Sequence, residues 1–258
     1  MDLEENIKQF IAQHQHLNSK DVALKLSKRP DLPKDIIINQ INGLQKAKKK
    51  LPEFFANKSI LYPSPLSMEQ CSSDTTGEYK SQIVKGETLI DLTAGFGIDS
   101  FYFAKQFKNV ISVESNKELC EITQQNLDVL SVKNIQIENT NAEKFIETAN
   151  EKADIIFIDP SRRVDAKKVH GFADCEPNIL ELKERLFEIT PQILIKASPL
   201  LDIKKSIDEL NFVKEVHVVS VANDCKELLF LLENHFEGEV TIKTINFADY
   251  KQEFDFNY

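Results

Sequence analysis

One stretch decides the predicted fold: residues 88–100 read Thr88-Leu89-Ile90-Asp91-Leu92-Thr93-Ala94-Gly95-Phe96-Gly97-Ile98-Asp99-Ser100. An apolar run ends at Asp91, two glycines follow one residue apart, and the start of a helix comes next. The chain has only 7 glycines, so two of them in one turn are informative. Glycine adopts positive φ without a Cβ penalty and lets the backbone approach a ligand closely. The stretch therefore predicts a strand, a tight turn and a helix, which is compatible with any nucleotide-binding α/β fold.

Composition narrows the class of protein. A chain of 258 residues, 41% hydrophobic and 28% charged, can bury the core of one mid-sized domain with an appendage. The net charge of −9 argues against a large basic surface that coats nucleic acid, so any such contact must be local. No apolar run approaches the roughly 20 residues of a membrane span, and the start of the chain lacks the basic residues of a signal peptide. The four cysteines are far apart and the five histidines show no metal-site spacing. We therefore expect a cytoplasmic protein with free thiols, no metal and no membrane contact.

The first sixty residues predict a small helical domain, residues 1–60. Its last helix ends in the lysine cluster Lys46, Lys48, Lys49 and Lys50. Basic residues in a last turn complement the helix dipole, so we expect a solvated helix end, with an RNA contact as the alternative. The segment Tyr62-Pro63-Ser64-Pro65 then marks a boundary.

A polar segment, Ser67 to Lys80, follows this boundary and is dense in hydroxyl side chains. Such a segment is either an exposed loop or the lining of a site for a polar ligand. It leads directly into the first strand, so it can lie over the carboxyl end of that strand. In the second case, Thr75 is expected to contact the ligand.

From Thr88 onward, strands alternate with helices, which predicts a parallel sheet with helices on both faces. Residues 213–221 and 227–232 are too close for a crossover helix and predict an antiparallel pair. The fold class is therefore α/β, a Rossmann-like sheet with an antiparallel strand at one edge, preceded by a small all-helical domain. We assign residues 61–237 to the sheet domain and residues 238–258 to a strand extension or the start of a further domain.

Each of four successive predicted strands ends in a polar residue: Asp91, Glu114, Asn141 and Asp159. Ligands of open α/β sheets bind at the carboxyl ends of the strands. Glu114 lies about twenty residues after the glycine turn, where an acidic side chain accepts hydrogen bonds from ribose hydroxyls. Asn141 can offer an amide to a base edge, with Ala142 adding its backbone. Any one of them alone could be a helix N-cap or a solvated turn residue.

These residues resemble the motifs of class I S-adenosylmethionine-dependent methyltransferases over about residues 60–235. Residues 91–97 resemble the first motif, Val113-Glu114 the second and Asn141-Ala142 the adenine-facing third. Asp159-Pro160 resembles the fourth motif, where many RNA and DNA methyltransferases begin an Asp-Pro-Pro or Asn-Pro-Pro catalytic loop. The resemblance implies S-adenosylmethionine as the cofactor, and the residues expected to bind it are Thr75, Asp91, Thr93, Ala94, Gly95, Phe96, Gly97, Glu114, Ser115, Asn141, Ala142 and Asp159.

A narrower similarity concerns residues 69–73, 79–80 and 159–163. They are similar to bacterial methyltransferases that carry an N-terminal helical region and a C-terminal THUMP-like domain, a domain associated with RNA. Because the chain ends at Tyr258, we expect the THUMP-like part to be absent or to have been cut away. The implied partner is an RNA substrate, either tRNA or rRNA.

The loop after the fourth strand is expected to carry the chemistry. Asp159, Pro160 and Ser161 are the predicted catalytic residues, with Asp159 accepting hydrogen bonds from an exocyclic amine of the acceptor. Methyl transfer is an in-line displacement, so such a loop works mainly by positioning the reactants. Basic side chains further along the loop are expected to contact RNA, although ion pairs with helix carboxylates are the alternative for the two arginines: Arg162, Arg163, Lys167 and Lys168.

Three alternatives remain open at this stage. Cys175 could serve as the nucleophile of a carbon-methylating mechanism. A nicotinamide-dependent oxidoreductase would share the sheet and Glu114, but Ser100 occupies the position of its third glycine or alanine. A non-catalytic module that binds S-adenosylmethionine or RNA would keep the fold without the chemistry of the loop.

Overall fold

The computed structural model describes residues 3–149, 152–162, 171–248 and 251–258, with only the backbone at Arg162 and Asn257. The helices are α1 (Glu5–His14), α2 (Ser19–Leu26), α3 (Lys34–Lys50), α4 (Pro52–Phe55), α5 (Pro65–Gln70), α6 (Asp74–Ile83), α7 (Ile98–Phe103), α8 (Lys117–Val129), α9 (Ala142–Thr148), α10 (Ile179–Ile189) and α11 (Ile203–Leu210). The strands are β1 (Thr88–Asp91), β2 (Asn109–Val113), β3 (Ile135–Glu138), β4 (Ile155–Ile158), β5 (Ser161–Arg162), β6 (Cys175–Glu176), β7 (Gln192–Ala197), β8 (Val213–Val221), β9 (Asp224–Glu233), β10 (Thr241–Phe247) and β11 (Lys251–Asn257). None of the helices in these ranges combines the length and apolarity needed to cross a membrane.

Nine strands form one sheet in the order β11-β10-β8-β9-β7-β4-β1-β2-β3. Strands β3, β2, β1, β4 and β7 are parallel, whereas β9 runs antiparallel to both β7 and β8. Strand β10 is parallel to β8, and β11 pairs with β10 in the antiparallel sense at the sheet edge. This arrangement confirms the predicted α/β class and the predicted antiparallel pair. The separate β5–β6 ribbon joins the start and the end of the loop that follows β4.

The central strands are apolar because helices cover both of their faces. Every residue of β4 is buried, as are the central residues of β7. One face packs Ile90 and Ile156 against α9 and α10, and the other packs Leu89 and Phe157 against α6 and α7. Strands buried on both faces read as continuous apolar runs, which is why the sequence locates them well.

The polar segment 67–80 is helical rather than an exposed loop. The Ser64 hydroxyl caps α5, and Ser73 and Thr76 form a reciprocal capping box at the start of α6. Tyr79 and Lys80, at the end of the segment, are buried. The exposed-loop interpretation is therefore wrong, because these hydroxyl residues start two helices instead of a loop.

The N-terminal helices pack directly on the sheet domain. A small core of α1, α2 and the first half of α3 includes Phe10, Val22 and Ile37. A second cluster joins residues of α3 and α4 to Phe96 and Phe101 of the sheet domain. The predicted boundary at residue 60 falls within that second cluster, so the division into domains stays a prediction.

Two of the four clustered lysines brace α3 against α5. Lys46 Nζ lies 2.6 Å from Glu69 Oε1, and Lys50 Nζ donates to the carbonyl oxygens of Met68 and Glu69 at 3.0 and 2.7 Å. The prediction of a solvated helix end is wrong for these two residues, since α5 supplies acceptors that a reading of α3 alone does not show. Lys48 and Lys49 are exposed.

Gly43 provides a test of how tightly α3 packs on the following segment. A Cβ on Gly43 would lie 2.1 Å from Tyr62 Cβ, an atom that cannot rotate away. We expect Gly43→Ala to destabilise the protein by about 1–3 kcal/mol in urea denaturation. The control is Asn39→Ala in the same helix, which helix propensity should make neutral or slightly stabilising. A gain of about 0.5–1 kcal/mol for Gly43→Ala, the usual result for a helical glycine, would show that the contact is loose.

Candidate active site

A cavity of about 770 Å³ opens at the carboxyl ends of the central strands. The glycine turn and the ends of β2 and β3 form one wall, and the loop after β4, the end of β7 and residues of α5 form the other. Nine of the twelve predicted cofactor residues line it: Thr93, Ala94, Gly95, Phe96, Glu114, Ser115, Asn141, Ala142 and Asp159. The other three, Thr75, Asp91 and Gly97, do not line it.

The two glycines of the turn have different roles. Both have positive φ, +56° at Gly95 and +76° at Gly97. A Cβ on Gly95 would meet no atom within 4 Å, so this position leaves open space beside the cavity. A Cβ on Gly97 would lie 2.6 Å from Thr123 Cγ2 on α8. Gly97 therefore lets α7 and α8 pack, and we correct its predicted role as a cofactor contact.

Asp91 supports the turn from below rather than facing the cavity. Its buried carboxylate accepts hydrogen bonds from Ser100 Oγ at 2.6 Å and from the Thr93 N–H at 3.1 Å. Ser100 Oγ also lies 3.1 Å from Ser112 Oγ on β2. Burial raises the pKa of Asp91 to about 7. Its predicted contact with the cofactor is corrected to that of a brace, because Ser100 and Thr93 occupy the carboxylate.

Thr75 is the third predicted cofactor residue that does not line the cavity. The Ser73 cap places it in the first turn of α6, half-buried and outside the cavity wall. The same segment reaches the cavity through other side chains: Ser67, Gln70, Cys71 and Ser72.

Glu114 and Asn141 line the cavity and also stabilise the local backbone. Glu114 Oε2 accepts from the Gly95 N–H at 2.8 Å, and its Oε1 accepts from the Asn116 N–H at 2.7 Å. Asn141 Oδ1 accepts from the Lys144 N–H at 2.9 Å and caps α9. The N-cap interpretation is thus confirmed at Asn141, and its predicted contact with the cofactor stays a prediction.

The loop after β4 is tied to the glycine turn and to β7. The Asp159 N–H donates to Thr93 Oγ1 at 2.7 Å, and Lys196 Nζ lies 2.5 Å from Asp159 Oδ2. Pro160 and Ser161 continue along the cavity wall. The backbone of Arg162 pairs with Cys175 in the β5–β6 ribbon, whereas Arg163, Lys167 and Lys168 lie outside the described residues.

Comparison with known proteins assigns the family. The sequence model of the family described as Conserved hypothetical protein 95 matches residues 74–215, more than half of the chain. The chain belongs to this family. It is 30% identical over 181 residues to an uncharacterized RNA methyltransferase of Caldanaerobacter subterraneus subsp. tengcongensis, covering 65% of this chain and 40% of that protein. It is 25% identical over 160 residues to an uncharacterized RNA methyltransferase of Mycoplasma mobile, covering 62% of this chain and 39% of that protein. The chain thus spans about two fifths of the length of these curated relatives.

A crystal structure extends the comparison over the whole chain. It is of a Porphyromonas gingivalis W83 protein provisionally named a methyltransferase, with a TM-score of 0.81 at 27% identity. The match covers 100% of this chain and 66% of that protein. The fold of the Conserved hypothetical protein 95 chain is therefore that of a methyltransferase-like Rossmann sheet.

Sequence reasoning missed a buried charge cluster behind the cavity of this Conserved hypothetical protein 95 chain. Lys80, with no exposed surface, has its Nζ 2.7 Å from Glu227 Oε1 and 3.2 Å from Asp99 Oδ1. The Ser72 hydroxyl donates to Asp99 Oδ2 at 2.7 Å and lies 3.1 Å from Lys80 Nζ. Residues from α6, α7 and β9 therefore meet around one ammonium group.

Lys196 links this cluster to the cavity. Burial opposes its charge, but the carboxylates of Asp159, Asp99 and Glu227 outweigh that effect and raise the pKa of Lys196. Burial also raises the pKa of Glu227, which lies behind the cavity wall. The one signal for Lys196 in the sequence is a lysine near the end of an otherwise apolar strand.

Two cysteines also line the cavity, Cys71 and Cys175. Burial raises the pKa of the Cys71 thiol, which favours its neutral form. Cys175 is buried in the β6 ribbon close to the loop after β4.

Asp91 predicts a specific pH dependence of stability. Its pKa of about 7 in the folded state exceeds the unfolded value near 4, so folding takes up a proton between these pH values. The stabilisation is complete below about pH 4 and is lost as the pH rises through about 7. Urea denaturation of Asp91→Asn across this range should therefore lack a decline, worth a few kcal/mol, that the native protein shows. Parallel pH curves for the two proteins would contradict this assignment.

Lys196 and Lys226 form a matched pair for testing the charge cluster. Both line the cavity, but the Lys196 side chain is 13% exposed and that of Lys226 is 46% exposed. Lys196→Met leaves three carboxylates without this counter-charge, and we expect a loss of stability of about 3 kcal/mol or more. Lys226→Met should change the unfolding free energy by less than about 0.5 kcal/mol. Equal effects in urea denaturation would argue against an organising role for Lys196.

Proposed function

We propose that this chain is the methyltransferase domain of an RNA-modifying enzyme, which transfers a methyl group from S-adenosylmethionine to a nitrogen of a tRNA or rRNA base. The observation that carries the proposal is the single cavity that contains both the glycine turn and the Asp159–Lys196 pair. Support also comes from the two relatives named RNA methyltransferases and from the Porphyromonas gingivalis W83 structure. We place the enzyme in the cytoplasm, and its similarity to THUMP-like-domain methyltransferases stays a prediction.

The residues at the glycine turn fit the proposed cofactor. The open space at Gly95 admits a ligand against the backbone, and Glu114 offers carboxylate oxygens of the kind that bind ribose hydroxyls. Asn141 and Ala142 border the adjoining part of the cavity, where a base would bind. When bound, S-adenosylmethionine supplies an electrophilic methyl group on its sulfonium. The residues of the chain contribute position rather than covalent chemistry.

The acceptor end of the cavity is built around Asp159. Its backbone is fixed by Thr93 and its carboxylate by Lys196, so one carboxylate oxygen has a defined direction before any substrate binds. A carboxylate in this setting accepts a hydrogen bond from an N–H of the acceptor base and orients the nitrogen lone pair. Pre-organisation of this kind is the main contribution that we assign to Asp159, Pro160 and Ser161.

The RNA contact is proposed for the loop between β5 and β6. The ribbon of these two strands anchors both ends of the loop at the cavity, because Ser161, Cys175 and Glu176 all line it. Four basic residues are predicted to bind RNA, and their role stays a prediction. Arg162 ends β5, and the other three follow it in the sequence of this loop: Arg163, Lys167 and Lys168.

An oxidoreductase has less support. Ser100, at the position of the third glycine or alanine, is fully buried and hydrogen-bonded to Asp91 and Ser112. Ser100 therefore has a structural role in the turn, and its hydroxyl is not available to contact a nicotinamide cofactor. Carbon methylation keeps one favourable observation, since Cys175 lines the cavity.

Two measurements test the proposal with the Asp159→Ala variant. S-adenosylmethionine and S-adenosylhomocysteine should raise the melting temperature of the native chain, and labelled S-adenosylmethionine should methylate RNA from cells that lack the protein. Asp159→Ala should lower transfer at least about 100-fold with cofactor binding nearly unchanged. Glu121→Gln, a remote exposed carboxylate on α8, is the matched control and should retain full activity.

The remaining outcomes separate the alternatives. Stabilisation by NAD alone would favour the oxidoreductase, and cofactor binding without transfer to any RNA fraction would favour the non-catalytic module. Loss of cofactor binding in Asp159→Ala would show that Asp159 is misassigned. Nucleoside analysis of the product would distinguish methylation of a base nitrogen from methylation of a base carbon, the reaction in which Cys175 would act as the nucleophile.

A further inference from the structure

Charge is distributed unevenly along this acidic protein. Residues 1–60 contain 11 lysines and arginines against seven acidic residues, whereas the remaining 198 residues contain 21 against 34. The N-terminal helices are thus the only large part of the chain with a net positive charge. A polyanion that approaches the molecule is repelled by most of it and attracted to these helices.

Three exposed lysines lie on one side of the helical region: Lys20, Lys48 and Lys49. Their proximity follows from the hydrogen bonds between the helices. Ser19 Oγ donates to Asn42 Oδ1 at 2.7 Å, which places the start of α2 beside the second half of α3. Gln45 Nε2 donates to the carbonyl oxygens of residues 15 and 17 at 2.7 Å, and Lys48 and Lys49 follow Gln45 by three and four residues on the same helix face. We call these three lysines the lysine face.

The lysine face carries unneutralised charge. None of its three side chains makes an ion pair with another residue in the part of the chain that the structure describes. The neighbouring acidic residue, Asp21, accepts a hydrogen bond from Asn18 Nδ2 at 2.8 Å. Elsewhere in the same helices, Arg29 is paired with Asp31, and Lys46 with Glu69.

The helix that carries Lys48 and Lys49 also contacts a segment that lines the cavity. Lys50, the residue after Lys49, donates to the carbonyl oxygens of Met68 and Glu69 in α5. The residues on either side of these two, Ser67 and Gln70, line the cavity. The last two turns of α3 therefore carry both part of the lysine face and the lysines that hold α5 at the cavity.

We propose that the lysine face binds the phosphate backbone of the RNA substrate, in the nucleotides that flank the base held in the cavity. The inference rests on the proposed function, because it takes RNA as the substrate. Phosphate contacts of this kind position an RNA without reading its sequence. The lysine face thus acts as a second, sequence-independent contact, in addition to the one proposed for the β5–β6 loop.

The chain provides a matched control within the same domain. Three other lysines are also exposed and make no ion pair with a described residue, but they lie at the far end of α2 and α3: Lys25, Lys28 and Lys34. Lys34 and Lys48 are 14 residues apart in one helix, roughly 21 Å. The triple variants K20Q/K48Q/K49Q and K25Q/K28Q/K34Q therefore remove the same charge from two ends of one helical region.

The experiment measures the affinity of the full chain for a labelled single-stranded RNA of mixed sequence over a range of salt concentrations. Each lost phosphate contact lowers the slope of log affinity against log salt by about 0.7 for a single strand. We expect K20Q/K48Q/K49Q to lower the slope by about 2 and to raise the KM for RNA in the methylation assay, with kcat and the thermal shift by S-adenosylmethionine unchanged. The control triple should keep the slope within about 0.5 of the native value.

Several outcomes would overturn the inference. Equal losses in both triples would assign RNA attraction to overall charge rather than to the lysine face. No change in K20Q/K48Q/K49Q, while the native chain binds and methylates RNA, would refute the lysine face and leave the proposed function intact. A native chain that binds S-adenosylmethionine but neither binds nor methylates RNA would refute the RNA substrate itself. Loss of binding to anionic lipid vesicles with unchanged RNA binding would assign the lysine face to a membrane surface.

Discussion

The buried ammonium group of Lys80 imposes the strongest constraint on this structure. A charge removed from water is unfavourable by several kcal/mol unless partners of opposite sign and hydrogen bonds surround it. Glu227 and Asp99 supply the carboxylates and Ser72 the hydroxyl. These groups come from β9, α7 and the turn before α6, so the requirement holds three parts of the chain together above the sheet. It also explains why the hydroxyl-rich segment before β1 folds as packed helices.

The same cluster determines the electrostatics at the acceptor end of the cavity. Lys196 stands between the buried carboxylates and Asp159, and its charge is stabilised from both sides. The cluster holds three carboxylates and two ammonium groups, and burial raises the pKa of the carboxylate behind the cavity wall, Glu227. The orientation of Asp159 is therefore a property of the folded core.

Local sequence patterns predict the sheet and half of the cavity well. The apolar runs that end at Asp91, Glu114, Asn141 and Asp159 mark strand ends, and parallel strands bring their ends to one edge. The pattern does not distinguish a carboxylate that faces a ligand from one held by its neighbours. Asp91 is an example, because its carboxylate accepts a hydrogen bond from Ser100, which lies nine residues further along the chain.

Long-range pairings lie beyond such patterns. Lys80 and Glu227 are 147 residues apart, and nothing near either residue indicates the other. Lys50 is similar, since its acceptors are backbone carbonyl oxygens of α5 that have no sequence signature. The hydroxyl residues before β1 mislead for the opposite reason, because helix caps and loops use the same residue types.

Different interactions hold the two walls of the cavity in place. The N-terminal helices contribute to these interactions. The wall at the glycine turn depends on backbone geometry, since Gly95 leaves space where any side chain would intrude. The opposite wall depends on α5, which Lys46 and Lys50 hold in place from α3. Ala47 of α3, Met68 and Phe96 belong to one apolar cluster, so α3 and the glycine turn share a core. A displacement of the helical region would therefore disturb both the acceptor wall and the packing of the glycine turn, which makes that region part of the site rather than an attachment to it.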